Sequence, residues 1–200
     1  REKLEAVAAG LPRMAVVAAD ITDPSVPQML IDTAVKTFGR LDIVHNNAGV
    51  MRIGPIDTVD VEGLCQMIHI NFEALVRLSY AALRHFKSVK SGFLINTSSI
   101  AGYKTGPTLG VYDGTKFAVE AFTDALRLEL AGTGIRVSAI APGTVDTGLY
   151  AGWDPTSKEY MYSGGALAPD DIARAVRFVL EQPSHVLIPR MLIVPAAQPV

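Results

Sequence analysis

Gly92-Phe93-Leu94-Ile95-Asn96-Thr97-Ser98-Ser99 reads as a buried strand that breaks off in two serines, and Tyr112-Asp113-Gly114-Thr115-Lys116 follows on what reads as a helix, with Ser99 thirteen residues ahead of the tyrosine. Positions i and i+4 share a helix face, so the phenol of Tyr112 and the ammonium of Lys116 point into the same space. A free tyrosine titrates near ~10, and bringing it to ~7 takes about 4 kcal/mol. A fixed lysine charge in a partly dry site is expected to supply much of that, and a phenol so tuned serves as general acid and base at neutral pH. Such a pair also arises by chance on ordinary helices, so its meaning depends on its neighbours.

Working outward, apolar runs and helical stripes alternate along the chain. Met14 to Ala19 reads as a buried strand ending at Asp20, and Ser25 to Phe38 as a helix stopped by Gly39. Asp42 to His45 is the next strand. A long helix is expected from Val61 to Phe86, with Leu64, Met67, Ile68, Leu75, Leu78, Ala82 and Leu83 on its apolar stripe. After the Gly92–Thr97 strand, the Tyr112 helix runs to about Ala131 and stops at Gly132-Thr133-Gly134. Ile135 to Ala141 is a strand, Ala168-Pro169-Asp170-Asp171 opens a helix with proline and acids in its first turn, and Val186 to Val194 closes the sheet. This alternation predicts an α/β fold in one domain over 1–200, a doubly wound, Rossmann-like parallel sheet. Asn46-Asn47-Ala48-Gly49, Ser99 and Pro142-Gly143 all fall at the carboxyl ends of expected strands, the edge at which ligands bind such sheets.

These motifs, with Asp20, Asn71 and Tyr112-x-x-x-Lys116 in the same order and spacing, cover nearly the whole chain, and together they resemble the short-chain dehydrogenase/reductase family, of the compact single-domain type. The resemblance implies reversible hydride transfer between NADP or NAD and a carbonyl or alcohol, with no metal. It assigns Tyr112 as proton donor and as a cofactor contact, Ser99 as holder of the substrate oxygen, Lys116 as both the cation that lowers the tyrosine pKa and a ligand of the nicotinamide ribose, and Asn71 as holder of a water in a proton relay. It places Asp20, Ile21, Asn47, Ala48 and Gly49 against the adenosine half of the cofactor, and Pro142, Gly143, Val145 and Thr147 against the nicotinamide. Plainer readings stand beside these. Asp20 after a strand often caps its own turn, Asn71 on an apolar helix serves packing, and Ser98 satisfies loop backbone. Asp146 receives no role.

The family opens with a strand and a Thr-Gly-x-x-x-Gly-x-Gly turn that cradles the pyrophosphate. Nothing here matches it, since Arg1-Glu2-Lys3-Leu4 falls inside what resembles the second helix. We expect that a first strand–helix–strand unit, roughly 30 residues, is missing from this chain rather than from the protein. The position that separates NAD from NADP would precede Arg1, and the basic character that relatives often show there leans to NADP. From Gly148 to Leu167 we expect an irregular lid over the substrate, whose Tyr150, Trp153, Tyr160, Met161 and Tyr162 fit an apolar or ring-bearing molecule, or else seal the lid or an oligomer contact.

Composition narrows the alternatives. The 200 residues are 49% hydrophobic and 19% charged, enough for a sizeable core. A net charge of −2 gives a nucleic acid no electrostatic hold. One cysteine, Cys65, makes no internal disulfide, and His45, His69, His85 and His185 lack metal-ligand spacing. No apolar run reaches the ~18 residues of a membrane span, so a cytoplasmic protein is expected. The resemblance further implies a homodimer or homotetramer through the helices from Val61 and Tyr112. A non-catalytic scaffold or cofactor sensor on the same fold is the alternative, against which the full Ser-Tyr-Lys-Asn set argues.

Overall fold

The computed structural model describes residues 1–199. Four parallel strands form one sheet in the order β1 (Ile43–Asn46), β2 (Gly92–Thr97), β3 (Ile135–Pro142) and β4 (Arg190–Ile193). Helices α1 (Glu2–Ala8) and α2 (Val26–Phe38) precede β1, and α3 (Val61–Ile68), α4 (Ala74–Val89), α5 (Gly110–Glu129), α6 (Pro155–Tyr162) and α7 (Pro169–Leu180) lie between the strands. Parallel strands need crossovers, and helices fill them, so both sheet faces are covered. Side-chain alternation sorts the two layers. Leu94 and Val137 meet Ala82, Phe86 and Leu126 on the side of α4 and α5. Phe93, Ile95 and Ile140 meet Val179 of α7 on the other. The expected doubly wound, Rossmann-like α/β architecture is the one observed.

Register sets the functional edge. Asn46 pairs with Asn96, Thr97 with Ile140 and Pro142 with Ile193, so Asn47, Ser99 and Gly143 emerge side by side. Below them a buried polar ladder crosses the sheet. Asn46 Nδ2 donates to Ser79 Oγ (2.9 Å) and Asn96 Oδ1 (2.8 Å), and Asn96 Nδ2 donates to Thr123 Oγ1 (2.9 Å). Fully partnered, these groups avoid the desolvation cost of buried amides and fix the α4–β1–β2–α5 alignment.

Several elements differ from the sequence expectation. Met14–Ala19 pairs with no strand and is mostly exposed. A strand exists through its ladder, and β1 at this side of the sheet pairs with β2 alone. The closing strand is shorter than Val186–Val194, covering Arg190–Ile193. The long helix is interrupted by a π turn at His69–Glu73, where the Ala74 N–H reaches His69 O. The stretch from Gly148 to Leu167 is not wholly irregular. It holds a 3₁₀ turn (Gly148–Tyr150) and α6, which is capped by Asp154 accepting from Ser157 N at 3.0 Å, with Pro155 next.

Gly92 opens β2 under the fully buried Phe86 ring, and a Cβ there would lie 2.2 Å from Phe86 Cγ. Gly92→Ala should therefore cost about 2 kcal/mol by overpacking, read as a lower thermal midpoint. A midpoint unchanged from the parent protein would show that the α4–β2 packing is looser than described.

Candidate active site

The strand edge opens into a cleft of about 1600 Å³ whose lining includes Asn47, Gly49, Ser99, Tyr112, Lys116, the turn from Pro142 to Thr147 and residues of the segment after it. Tyr112 and Lys116 sit one turn apart at the start of α5. Their stripe continues through Val119, Glu120, Thr123 and Leu126 into the core, which is why both are buried although they are polar. Lys116 Nζ donates to Thr97 O at 3.1 Å and stands 5.7 Å from the Tyr112 ring centre. Ser99, at the end of β2, accepts from Ala101 N (3.1 Å) and donates to Pro142 O (3.5 Å). Its hydroxyl faces the Tyr112 phenol.

Asn71 lies in the π turn, 2% exposed. Its amide clamps Val50, accepting from Val50 N (2.8 Å) and donating to Val50 O (2.8 Å), and its Nδ2 lies 3.4 Å from Thr115 Oγ1. Thr115 in turn donates to Tyr112 O at 2.7 Å. One side chain thus ties the loop after Gly49 to the turn that carries Tyr112, and the widened helix turn places it there. Gly49 packs closely here, since a Cβ on it would come 3.3 Å from Asn71 Oδ1.

The electrostatics correct one expectation. The Tyr112 pKa is not lowered toward neutrality; it is pushed up to about 12, chiefly by burial, with Asp113 also raising it and the Ser99 hydroxyl pulling it back. Burial also pushes Lys116 down to about 8, against the upward pull of Glu120. Desolvation is the largest cause of both shifts, as befits two polar groups in a dry site. At neutral pH the phenol is therefore protonated and the ammonium charged.

The other candidates divide. Asp20 is exposed and accepts from Thr22 N (2.9 Å) and Thr22 Oγ1 (2.7 Å), which lowers its pKa. That is the turn-capping arrangement, and Asp20, Ile21 and Ala48 are not among the residues lining the cleft. Thr147 Oγ1 accepts from Leu149 N at 3.2 Å, and Val145 pairs with Leu167. His45 Nε2 meets Thr97 Oγ1 at 2.8 Å, and Thr97 Oγ1 donates to Asn47 Oδ1 at 3.1 Å. Burial lowers the His45 pKa, so the ring is neutral. No grouping of three or more His, Cys, Asp or Glu side chains among the described residues suits a metal ion.

Two residues that received no role from the sequence take one here. Thr144 is 2% exposed and donates from Oγ1 to Met161 O at 3.0 Å, while Leu167 N donates to Thr144 O at 2.9 Å. Asp146 accepts from Tyr162 Oη at 3.2 Å. Both anchor the segment after Thr147 to the turn at Pro142-Gly143. The only sequence sign was that three polar residues follow a Pro-Gly at a strand end.

The family model for short chain dehydrogenases matches residues 1–158. The chain belongs to the short-chain dehydrogenase family. It is 38% identical over 197 residues to an uncharacterized oxidoreductase of Staphylococcus aureus strain USA300, covering 98% of this chain and 83% of that one. Among solved structures, the closed form of a serine dehydrogenase complexed with NADP+ superposes with a TM-score of 0.91 at 28% identity, covering all of this chain and 84% of the other. An alcohol dehydrogenase from the archaeon Thermococcus sibiricus, complexed with 5-hydroxy-NADP, gives 0.78 at 26% identity, with 90% and 74% covered. This short-chain dehydrogenase is thus an oxidoreductase by family, and none of its described helices is long and apolar enough to cross a membrane.

Proposed function

We propose that this short-chain dehydrogenase reduces the carbonyl group of a small apolar or aromatic substrate, and oxidises the matching alcohol, with a nicotinamide dinucleotide, and that Tyr112 handles the proton. The observation that carries this is the convergence of Ser99, Tyr112 and Lys116 on one cleft that Asn47, Gly49, Pro142 and Gly143 also line. The residues fit a dinucleotide. Gly49 leaves its backbone approachable, Lys116 Nζ is fixed within the cleft, and the Pro142–Thr147 turn presents backbone and hydroxyl groups. We assign Asn47 and Gly49 to the adenosine half, Lys116 to the ribose beside the nicotinamide, and Gly143, Val145 and Thr147 to the carboxamide. The NADP-type ligands of the matched structures favour NADP.

Held by Asn47, Gly49, Lys116 and the Pro142–Thr147 turn, a bound dinucleotide would supply the hydride for the carbonyl carbon or accept it from the alcohol. Ser99 holds the carbonyl oxygen by a hydrogen bond and stabilises the charge that develops there. Tyr112 Oη gives its proton to that oxygen, and a phenol kept protonated by burial suits that direction. Lys116, charged beside the phenol, favours the phenolate left behind and lowers the cost of its release. Asn71 holds the loop and the Tyr112 turn in register. Around Tyr112 stand Met51, Ala101, Leu109, Tyr150 and Trp153, with the Tyr150 ring edge-on to Trp153 (5.1 Å) and Tyr162 (5.7 Å). This apolar wall supports the substrate class, and the segment 148–167 that supplies its aromatics is the substrate lid. Exposed Ile68, Tyr80 and Phe117 on α3–α5 support a homodimer.

The test is oxidation of NADPH or NADH on adding aliphatic and aromatic aldehydes and ketones, followed by absorbance of the reduced nicotinamide. Loss of NAD(P)H matched by alcohol product is expected, and no turnover across such a panel would sink the reading. Carbonyl reduction should hold steady through neutral pH and fall on the alkaline side near pH 8, where Lys116 loses its proton. A kcat profile flat to pH 10 would separate Lys116 from proton delivery.

A further inference from the structure

After β4 the chain turns back across the mouth of the cleft. Gln198 N bonds Pro195 O at 2.9 Å, and Lys104, in the loop after Ser99, donates from Nζ to Pro199 O. The Gln198 side chain enters the cleft wall and its Oε1 accepts from Thr144 N at 3.0 Å. The fit is close. A Cβ on Gly143 would lie 2.1 Å from Gln198 Oε1, and a Cβ on Gly164 2.9 Å from Gln198 Cα. The preceding amide, Gly143 N, is held by Ile193 O at 2.7 Å. Two successive backbone amides of the Pro142–Thr147 turn are therefore fastened, one by β4 and one by Gln198, while the Gln198 backbone also rests on the aromatic segment at Gly164.

We infer that Gln198 is a positioning residue for the nicotinamide half of the cofactor: it fixes the turn Gly143-Thr144 through the Thr144 amide and fastens the end of the 148–167 segment to the same turn. This rests on the reading that Pro142–Thr147 receives the carboxamide. The consequence is selective. Loosening the turn should weaken contact with the nicotinamide and leave the adenosine half, assigned to Asn47 and Gly49, unaffected.

The full chain, unaltered and as Gln198→Met and Gln198→Glu, is titrated with the tighter-binding of NADP+ and NAD+ and with the same nucleotide lacking nicotinamide, 2′-phospho-ADP-ribose or ADP-ribose. Methionine keeps the volume and loses the acceptor. Glutamate keeps an acceptor for the Thr144 N–H. Loss of one positioning hydrogen bond should weaken dinucleotide binding about tenfold in Gln198→Met, with binding of the truncated nucleotide within about twofold and Gln198→Glu near the parent. Equal weakening of both nucleotides, or no change in either, overturns the inference while leaving the proposed function in place. A parent protein that binds no dinucleotide overturns both.

Discussion

Tyr112→Phe should lower kcat for carbonyl reduction by about a thousandfold or more while leaving the fold and dinucleotide affinity almost unchanged. The substitution removes one oxygen from a buried ring and keeps its packing against Met51, Met67, Ala101 and Tyr150. What is lost is the proton. Positioned general acids contribute about 10²–10⁴-fold, while Lys116 is turned to Thr97 O and His45 is neutral in its bond to Thr97. The phenol's high pKa strengthens the expectation, because a donor that is protonated at every working pH cannot be replaced by a change of buffer. Turnover by the phenylalanine variant within tenfold of the parent, with matched thermal midpoints and matched nucleotide affinities, would remove Tyr112 from the chemistry.

Much of this site was legible in the sequence because strand, turn and helix signals are local. The apolar runs at Gly92–Thr97 and Ile135–Ala141 and the stops at Gly39 and Gly132 need no knowledge of the rest of the chain. Tyr112 and Lys116 were placed together by helix periodicity alone. What failed depended on partners. Met14–Ala19 has the composition of a strand, and composition cannot supply the ladder that makes one. Asn71 was recognisable as out of place on an apolar helix, but its clamp on Val50 rests on a π turn that no simple periodicity announces. Asp154-Pro155 before α6 was a legible helix start, overlooked because the surrounding aromatics read as a loop. The tyrosine pKa shift had the wrong sign for the same reason. Spacing brings a cation near a phenol, and only the packed structure shows how little water reaches either. Gln198 carries no motif, and the backbone amide it meets lies 54 residues away in sequence.

Lys116→Met should abolish most of the activity and yet stabilise the protein. Burial holds the lysine pKa at about 8 instead of 10.5, a cost of about 3 kcal/mol for keeping the charged form folded at neutral pH. Methionine fills the same space with no charge to desolvate and gives up the bond to Thr97 O, worth about 1 kcal/mol. The balance is a gain of about 1–2 kcal/mol, and for a chain of this size each kcal/mol moves the thermal midpoint by about 2–4 °C. The sign of the pH dependence is fixed. Between pH 8 and 10.5 the unfolded parent binds more protons at Lys116 than the folded one, so its stability rises across that window while the variant's does not. The advantage of the methionine variant should therefore be largest near pH 7 and shrink toward pH 10. Its kcat should fall by about a hundredfold or more, since nothing else then offsets the negative charge left on Tyr112 after it gives up its proton. Calorimetry at both pH values, beside kcat, reads the two effects separately. A variant less stable than the parent at pH 7 would mean that the Lys116 charge is better solvated than its burial implies, and the dry site on which the proton transfer depends would have to be abandoned.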